Sequence, residues 1–245
     1  GIIAGAAAGA LMAEIFGWLT LTLLANQVAT GLALTIFGVG FSALIGSAFV
    51  GFAIEPLPKL NLPGLSEIPI VGPLLFGQDF LVYLSFASVF AVGWFLKNSH
   101  GGMVLRAVGE SHDSAHAIGY NVIGIRYLAT MFGGAMSGLG GAYLSLVYTP
   151  MWAENMTSGR GWIALALVVF ATWRPGRLIL GAYMFGGITI LQLNAQGRGL
   201  DGPSQLMSML PYLATIVVLV LISRDQTKIR LNAPACLSQP FRPAH

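Results

Sequence analysis

The side chains with the clearest chemical potential lie in a polar stretch between Lys97 and Arg126. It contains His112 and His116, two imidazoles one helical turn apart, which is the spacing of a zinc-binding protease helix. Asp113 follows the first histidine, where such a helix carries the longer Glu as general base, and the sequence offers no obvious third ligand. We therefore predict no metal site here and interpret both residues as ordinary solvent-side histidines.

Motifs for covalent chemistry are missing from the sequence. It contains no GxxxxGK[ST] phosphate loop, no GxSxG nucleophile elbow and no cysteine pair, since Cys236 is the single cysteine. We predict no catalytic residue, no metal ligand and no cofactor in this chain. Energy for any pumping has to come from elsewhere.

Polar residues inside apolar segments are the better functional candidates, because a polar group in lipid is costly unless it faces protein or water. Glu14 lies in the middle of the first apolar segment, where it lines a cavity or, if the helix begins later, marks a helix end. Asn26 and Gln27 separate two apolar segments, as a short cytoplasmic turn or as an unwound patch beside a path.

A second polar group precedes an apolar segment that is too short to cross a bilayer. Asn155, Thr157 and Arg160 lie in this run, and the free NH groups of the following helix start favour polar solutes. Arg160 has an alternative role as a structural lock to Glu154. We predict a substrate pathway lined by Glu14, Asn26, Gln27, Asn155, Thr157 and Arg160.

Composition determines which elements position these residues. Hydrophobic residues make up 56% of the 245 residues and charged residues 9%, with a mean hydropathy of +0.76, whereas soluble domains carry about 25% charged residues. This composition predicts an all-α, polytopic membrane protein with a half-length helix. Five full spans are predicted at 2–24, 28–50, 80–96, 122–147 and 206–222, and two irregular ones at 162–173 and 178–193.

Basic residues predict the orientation of these spans, because cytoplasmic flanks are enriched in Lys and Arg. With the polar loop inside, nine basic residues are cytoplasmic and three, Lys59, Arg160 and Arg198, are outside. The basic residues are scattered and form no patch interleaved with aromatic residues, so we expect no nucleic-acid partner. Small residues at helical spacing, Gly134, Gly138 and Gly141, predict close helix packing.

The polar loop carries the signals of its own short helix. Ser111 or Asp113 is a candidate N-cap, Ala115, Ala117 and Ile118 are its apolar members, and Gly119 is a candidate for its left-handed end. Upstream, Arg106 and Glu110 have the spacing of an ion pair. From the residues alone, such an element is either a docking element for a cytoplasmic partner or a solvated loop.

Several strings in this sequence resemble those of the permease subunits of bacterial ABC importers. They are LPGLSEIPIVGPLLFGQDFLVYL, LRAVGESHDSAHAIGYNV, YLATMFGGAMSGLGGAYLSL, ENMTSGRGWIALALVVFATWRPGRLILGAYMFGG and PSQLMSMLPYLATIVVLVL. The resemblance runs from Gly9 to Ile222 and is greatest to the nucleoside and simple-sugar branch, which is related to ribose and branched-chain amino acid permeases. Ala171 and Thr172 stand where a glycine-containing turn is expected.

The resemblance implies that the polar loop, 97–126, is a coupling loop for a separate ATPase that binds ATP and magnesium. The coupling residues it implies are Arg106, Ala107, Gly109, Glu110, Ala117, Gly119 and Asn121. It further implies a second homologous permease, an extracytoplasmic substrate-binding protein and a small-molecule solute. The implied location is the bacterial plasma (inner) membrane, with several passes through the bilayer.

Residues 1–245 are expected to form one transmembrane permease domain with a cytoplasmic tail at 223–245, and N-terminal spans are expected to be missing. The predicted function is that of a membrane-spanning permease subunit for a nucleoside or simple sugar. Two alternatives remain: a branched-chain amino acid ABC permease, and an ion-coupled secondary transporter that uses Glu14.

Overall fold

The computed structural model describes residues 1–58, 60, 77–157, 159–197 and 233–242, with a few isolated residues between 209 and 220. The described regular elements are helices. They are α1 (Ile2–Gly17), α2 (Gln27–Gly46), α3 (Phe80–Asn98), α4 (His100–Glu110), α5 (His112–Ala117), α6 (Val122–Tyr143), α7 (Arg160–Phe170) and α8 (Pro175–Gly197). Short π-helical segments extend α1 over Trp18–Thr22 and α6 over Leu144–Tyr148, and a 3-10 turn, Ser47–Phe49, follows α2.

Four helices are long and apolar enough to cross a bilayer: Ile2–Thr22, Gln27–Phe49, Phe80–Asn98 and Val122–Tyr148. They coincide with four of the five predicted full spans, so the prediction of a polytopic helical membrane protein is confirmed. The large apolar side chains of these helices are mostly exposed within the single chain, as expected for surfaces that face lipid or another subunit. The fifth predicted span, 206–222, lies largely outside the described residues.

The two irregular spans differ in outcome. Helix α7 has 11 residues and is therefore about 16 Å long, about half the thickness of a hydrocarbon core, as predicted. Helix α8 has 23 residues, so the predicted range 178–193 was too short. The prediction stopped at polar residues near the C-terminal end, although Asn and Gln are compatible with a continuing helix.

The turn between α7 and α8 has a backbone conformation that usually requires glycine. Thr172 and Trp173 both adopt left-handed backbone conformations, with φ of 50° and 56°, a region that non-glycine residues rarely occupy. Thr172 is buried, its hydroxyl donates to the Ala171 carbonyl oxygen at 2.8 Å, and Arg177 Nη1 donates to that hydroxyl at 3.0 Å. These side-chain bonds hold the turn without a glycine.

By backbone proximity the chain divides into two compact units. The first contains 1–87, 107–157 and 238–245, and the second contains 88–106 and 158–237. The first unit holds α1, α2, α5 and α6, and the second holds α7 and α8. Helices α3 and α4 each run across a boundary between the units.

Helices α1 and α6 make the closest packing in the first unit. A Cβ atom added at Gly5 would lie 2.9 Å from Ala142 Cβ, and one added at Gly9 would overlap the Gly134 carbonyl oxygen and lie 2.9 Å from Gly138 Cα. The two backbones therefore touch through glycines on both sides, as small residues four apart allow in lipid.

The packing row on α6 consists of Gly134, Gly138 and Ala142, which are four residues apart. Gly134 and Gly138 lie in the contact as predicted, but a Cβ added at Gly141 meets no heavy atom of the described chain within 4 Å. Gly141, three positions after Gly138, falls at a different angle around the helix than Ala142, the next member of the row, so its predicted role in packing stays a prediction.

Contacts along α1 and α6 show that the two helices are antiparallel. Gly5, near the start of α1, faces Ala142 near the end of α6, whereas Tyr127, near the start of α6, lies against Gly17. The Tyr127 hydroxyl also shares a 2.6 Å hydrogen bond with the Thr22 hydroxyl. The connection 23–26 between α1 and α2 therefore lies on the same side of the bundle as the polar loop that leads into α6.

Candidate functional site

The helix of the polar loop, α5, is capped at both ends by residues that its sequence signals. The Ser111 hydroxyl accepts a hydrogen bond from the Ser114 amide at 3.2 Å. Asp113, the alternative cap, lies instead in the first turn. Gly119 has a φ of +92° and ends the helix, and the Tyr120 amide returns to the Ala115 carbonyl oxygen at 3.1 Å.

One side of the loop is buried. Val108, Ala115 and Val122 are 2%, 2% and 1% exposed, and His112 is buried with them. Helix α5 packs on α6, whose N-terminus is capped by Asn121, with its Oδ1 accepting from the Gly124 amide at 3.0 Å. The loop is therefore an ordered element seated on a membrane helix.

The predicted coupling residues are mostly accessible. All are exposed except Gly109, which is half-buried, and the exposed ones are Arg106, Ala107, Glu110, Ala117, Gly119 and Asn121. These residues belong to α4, to α5 and its end, and to the cap of α6. The set together with Ile118 is called the docking face below, and its role in docking stays a prediction. The predicted ion pair between Arg106 and Glu110 stays a prediction.

Ile118 belongs to the docking face although the sequence assigned it to the apolar side of α5. It is 70% exposed, and Ala117 is exposed as well, so of the three predicted apolar members only Ala115 is buried. A helix of six residues has fewer than two turns and can bury only about one apolar position against a single neighbour. Ile118 is therefore an accessible large apolar side chain of the docking face.

The C-terminal segment joins this site, which the sequence did not predict. The Phe241 ring, 6% exposed, lies edge-on to the rings of His112 and His116, with centroids 5.6 Å apart in both cases. Arg126 Nη2 donates to the Gln239 carbonyl oxygen at 3.0 Å. The segment and the polar loop therefore lie on one side of the bundle, as the predicted orientation requires. Whether that side is cytoplasmic stays a prediction.

The two histidines contact an aromatic ring, and the geometry offers no set of metal ligands around them. Within the described ranges no group of three or more His, Cys, Asp or Glu side chains comes together. The helical spacing of His112 and His116 instead lets both imidazoles contact the Phe241 ring. The pair is thus used for packing in this structure.

Burial lowers the pKa of His112 below its ordinary value of 6.5, and the positive charge of Arg126 lowers that pKa further, against a smaller opposite effect of Asp113. In the unfolded chain His112 therefore takes up a proton at a higher pH than in the folded chain. The stabilising contribution of neutral His112 is present above about pH 6.5 and decreases as the pH falls below that value. We expect the thermal unfolding midpoint to fall between about pH 7 and pH 5.5, with a shallower fall in His112→Gln. Equal slopes in parallel unfolding scans of the two proteins would contradict this assignment.

Three of the predicted pathway residues lie on α1 or at the start of α2. Glu14 is exposed on α1. Asn26 caps α2, with its Oδ1 accepting from the amides of Val28 at 3.0 Å and Ala29 at 3.1 Å, and Gln27 is the first residue of that helix. Asn26 and Gln27 thus lie at a break between two helices, and both alternatives for them, a cytoplasmic turn and a patch beside a path, stay predictions.

The remaining predicted pathway residues come just before the half-length helix in the sequence or at its first position. Asn155, with a φ of 60°, and Thr157 are exposed in a turn of the first unit. Arg160 is the exposed first residue of α7 in the second unit, and the preceding Gly159 has a φ of 75°. The irregular backbone before α7 was predicted, whereas the roles of these residues in a pathway stay predictions.

Comparisons with known proteins agree on one kind of protein. The family model described as branched-chain amino acid transport system / permease component matches residues 1–221. A putative glucose ABC transporter permease protein of Haloferax volcanii is 38% identical, over 97% of this chain and 79% of the relative. No solved structure matches the chain significantly.

Two further relatives carry nucleoside names. A guanosine ABC transporter permease protein of Bacillus subtilis is 31% identical, over 89% of this chain and 71% of the relative. A nucleoside ABC transporter permease protein of Lactococcus lactis is 30% identical, over 90% of this chain and 72% of the relative. All three similarities extend over most of both proteins and are not confined to one motif.

Proposed function

Because this chain belongs to the permease family of the branched-chain amino acid transport system, and is a multi-pass ABC transporter permease, we propose that it carries a nucleoside or a simple sugar across the plasma (inner) membrane. The chain is a transport subunit and performs no covalent chemistry. The names of the relatives support this solute class, since they comprise glucose, guanosine and nucleosides. Branched-chain amino acids rank third, with the family description as their support.

The observation that carries the mechanism is the exposed docking face. A polar loop that is ordered, capped and seated on a membrane helix presents its predicted coupling residues outward. We propose that this face binds a separate ATPase, which supplies ATP, magnesium and the driving force. A movement driven this way requires ATP to bind two states of the complex with different affinity, and the docking face transmits that difference to α6.

The other partners follow from the same proposal. An extracytoplasmic binding protein delivers the solute, and a second homologous permease completes the pore. The exposed apolar side chains of α1, α2 and α6 provide surface both for lipid and for such a subunit. The ion-coupled alternative depends on Glu14 alone, and no observed contact of Glu14 favours it.

Reconstitution tests the proposal directly. The chain is placed in lipid vesicles with the ATPase, second permease and binding protein of its own organism, and uptake of labelled guanosine and glucose is measured. We expect uptake that requires hydrolysable ATP and stops with a non-hydrolysable analogue. Uptake that follows a proton or sodium gradient without ATP, and that Glu14→Gln abolishes, would establish the alternative instead.

A further inference from the structure

The C-terminal segment makes a specific contact with the polar loop that neither the family nor the transport cycle explains. Phe241 touches His112 at the first residue of α5 and His116 one turn later, and it is almost completely buried. The Gln239 carbonyl oxygen accepts a hydrogen bond from Arg126 in the first two turns of α6. Residues 239–241, called the strap below, therefore join α5 to α6.

Helix α5 needs such support because of its length. Six residues are far below the roughly 12–15 at which an isolated helix becomes marginally stable in water. Its caps supply part of the missing stability, and its packing on α6 supplies another part. A ring that contacts side chains from the first and the last turn of the helix at once favours the helical arrangement, because unwinding α5 would separate the ring from at least one imidazole.

The position of the strap determines what it does. It contacts the histidine side of α5, while Ala117, Ile118 and Gly119 remain exposed. A segment that blocked the partner would cover those residues. The strap leaves them open, so its contact supports a positioning role and argues against autoinhibition.

We propose that the strap holds α5 in the conformation that the ATPase binds, with Phe241 as the positioning residue. This inference rests on the proposed function for the identity of the partner, although the contact itself does not. Without the strap, α5 would have to be ordered at the moment of binding, and that cost would weaken the affinity for the ATPase without changing the assembled complex.

The first experiment measures hydrogen exchange of the α5 amides in the full chain without any partner. In Phe241→Ala we expect these amides to exchange at least about tenfold faster than in the wild type, the effect of losing the burial of one aromatic side chain. The matched control is Leu237→Ala, a similar truncation at an exposed residue of the same segment, which should leave α5 unchanged. Equal exchange rates of the α5 amides in Phe241→Ala and the wild type would refute the claim that the strap holds α5.

The second experiment titrates the ATPase against the reconstituted chain and records hydrolysis. For Phe241→Ala we expect about a tenfold higher half-saturating ATPase concentration with an unchanged maximal rate. A variant that merely misfolds would lose maximal rate at an unchanged half-saturating concentration. Phe241→Leu, which keeps most of the buried apolar surface, should recover most of the affinity.

Hydrogen exchange of α5 and the ATPase titration together separate a failure of the strap's positioning role from a failure of the proposed function. Faster exchange of α5 with unaltered ATPase titration would overturn the positioning role while leaving the contact established. A wild-type chain that binds no ATPase would refute the proposed function, and the exchange experiment would still decide whether the strap holds α5. Tighter ATPase binding by Phe241→Ala would show that the segment inhibits, contrary to the proposal.

Discussion

Gly134→Ala is expected to destabilise the folded chain, whereas Gly133→Ala, one residue earlier in the same helix, is expected to be neutral or stabilising. A Cβ at Gly134 would overlap Ala13 Cβ and the Gly9 carbonyl oxygen. Overpacking of this kind costs about 1–3 kcal/mol, and here the obstacle is partly backbone, which cannot rotate away. At Gly133 the added methyl meets no described atom within 4 Å, and Ala favours a helix over Gly by about 1 kcal/mol.

The comparison isolates packing from helix propensity, because both substitutions gain the same propensity. Reversible unfolding in mixed detergent, followed by circular dichroism, measures the difference. Gly9→Ala should repeat the loss from the other helix, and the double variant Gly9→Ala with Gly134→Ala should lose less than the sum, since one shift of α1 accommodates both methyl groups. Equal stability of Gly133→Ala and Gly134→Ala would contradict the close contact of α1 and α6.

Ile118→Asp is expected to reduce the affinity for the ATPase by about 30-fold or more, the effect of losing an interface hot spot. Ile118 is the large apolar side chain of the docking face, and it lies outside the buried side of the loop. A carboxylate there would have to be desolvated on binding without an assigned partner. Co-purification of the tagged chain with the ATPase, and ATP-driven uptake, are the measurements.

Because Ile118 is exposed in the free chain, the substitution should leave the unfolding transition unchanged. An unchanged transition would show that a loss of ATPase binding is not caused by misfolding. Leu237→Asp, an equally drastic change at another exposed position, is the control and should retain both activities. Charge reversal at Arg106 and Glu110 together provides an independent test of the same face. If both Ile118→Asp and the Arg106 and Glu110 charge reversal still co-purified fully with the ATPase, the ATPase would dock elsewhere.

Much of the fold was predictable because a bilayer imposes simple constraints on sequence. Four spans, the half-length helix α7, the Ser111 cap and the Gly119 end of α5 all follow from apolar length or from local capping chemistry. Apolar length and capping residues can be identified from a short stretch of sequence, so these elements can be predicted without knowing which distant residues are in contact. The end of α8 was misjudged because polarity marks helix ends only weakly.

The candidate site was predictable only in part. The exposed positions of Ala107, Glu110 and Asn121 agree with the coupling loop that the family resemblance implied. The exposure of Ile118 was not predicted, because the side of a helix that is buried depends on which neighbour packs there, and neighbouring apolar residues are equally good candidates in the sequence.

The sequence by itself determined that this chain consists of membrane helices with a polar loop that carries helix-capping signals, because hydropathy and capping are properties of local composition. Only the tertiary structure decided that Gly9 meets Gly134 and that Phe241 lies against His112 and His116. These partners are more than 100 residues apart in each case, and nothing local distinguishes Phe241 from any other aromatic residue in a polar tail. Contacts over such separations depend on the packing of the whole unit, which is why they carry information that the linear pattern lacks.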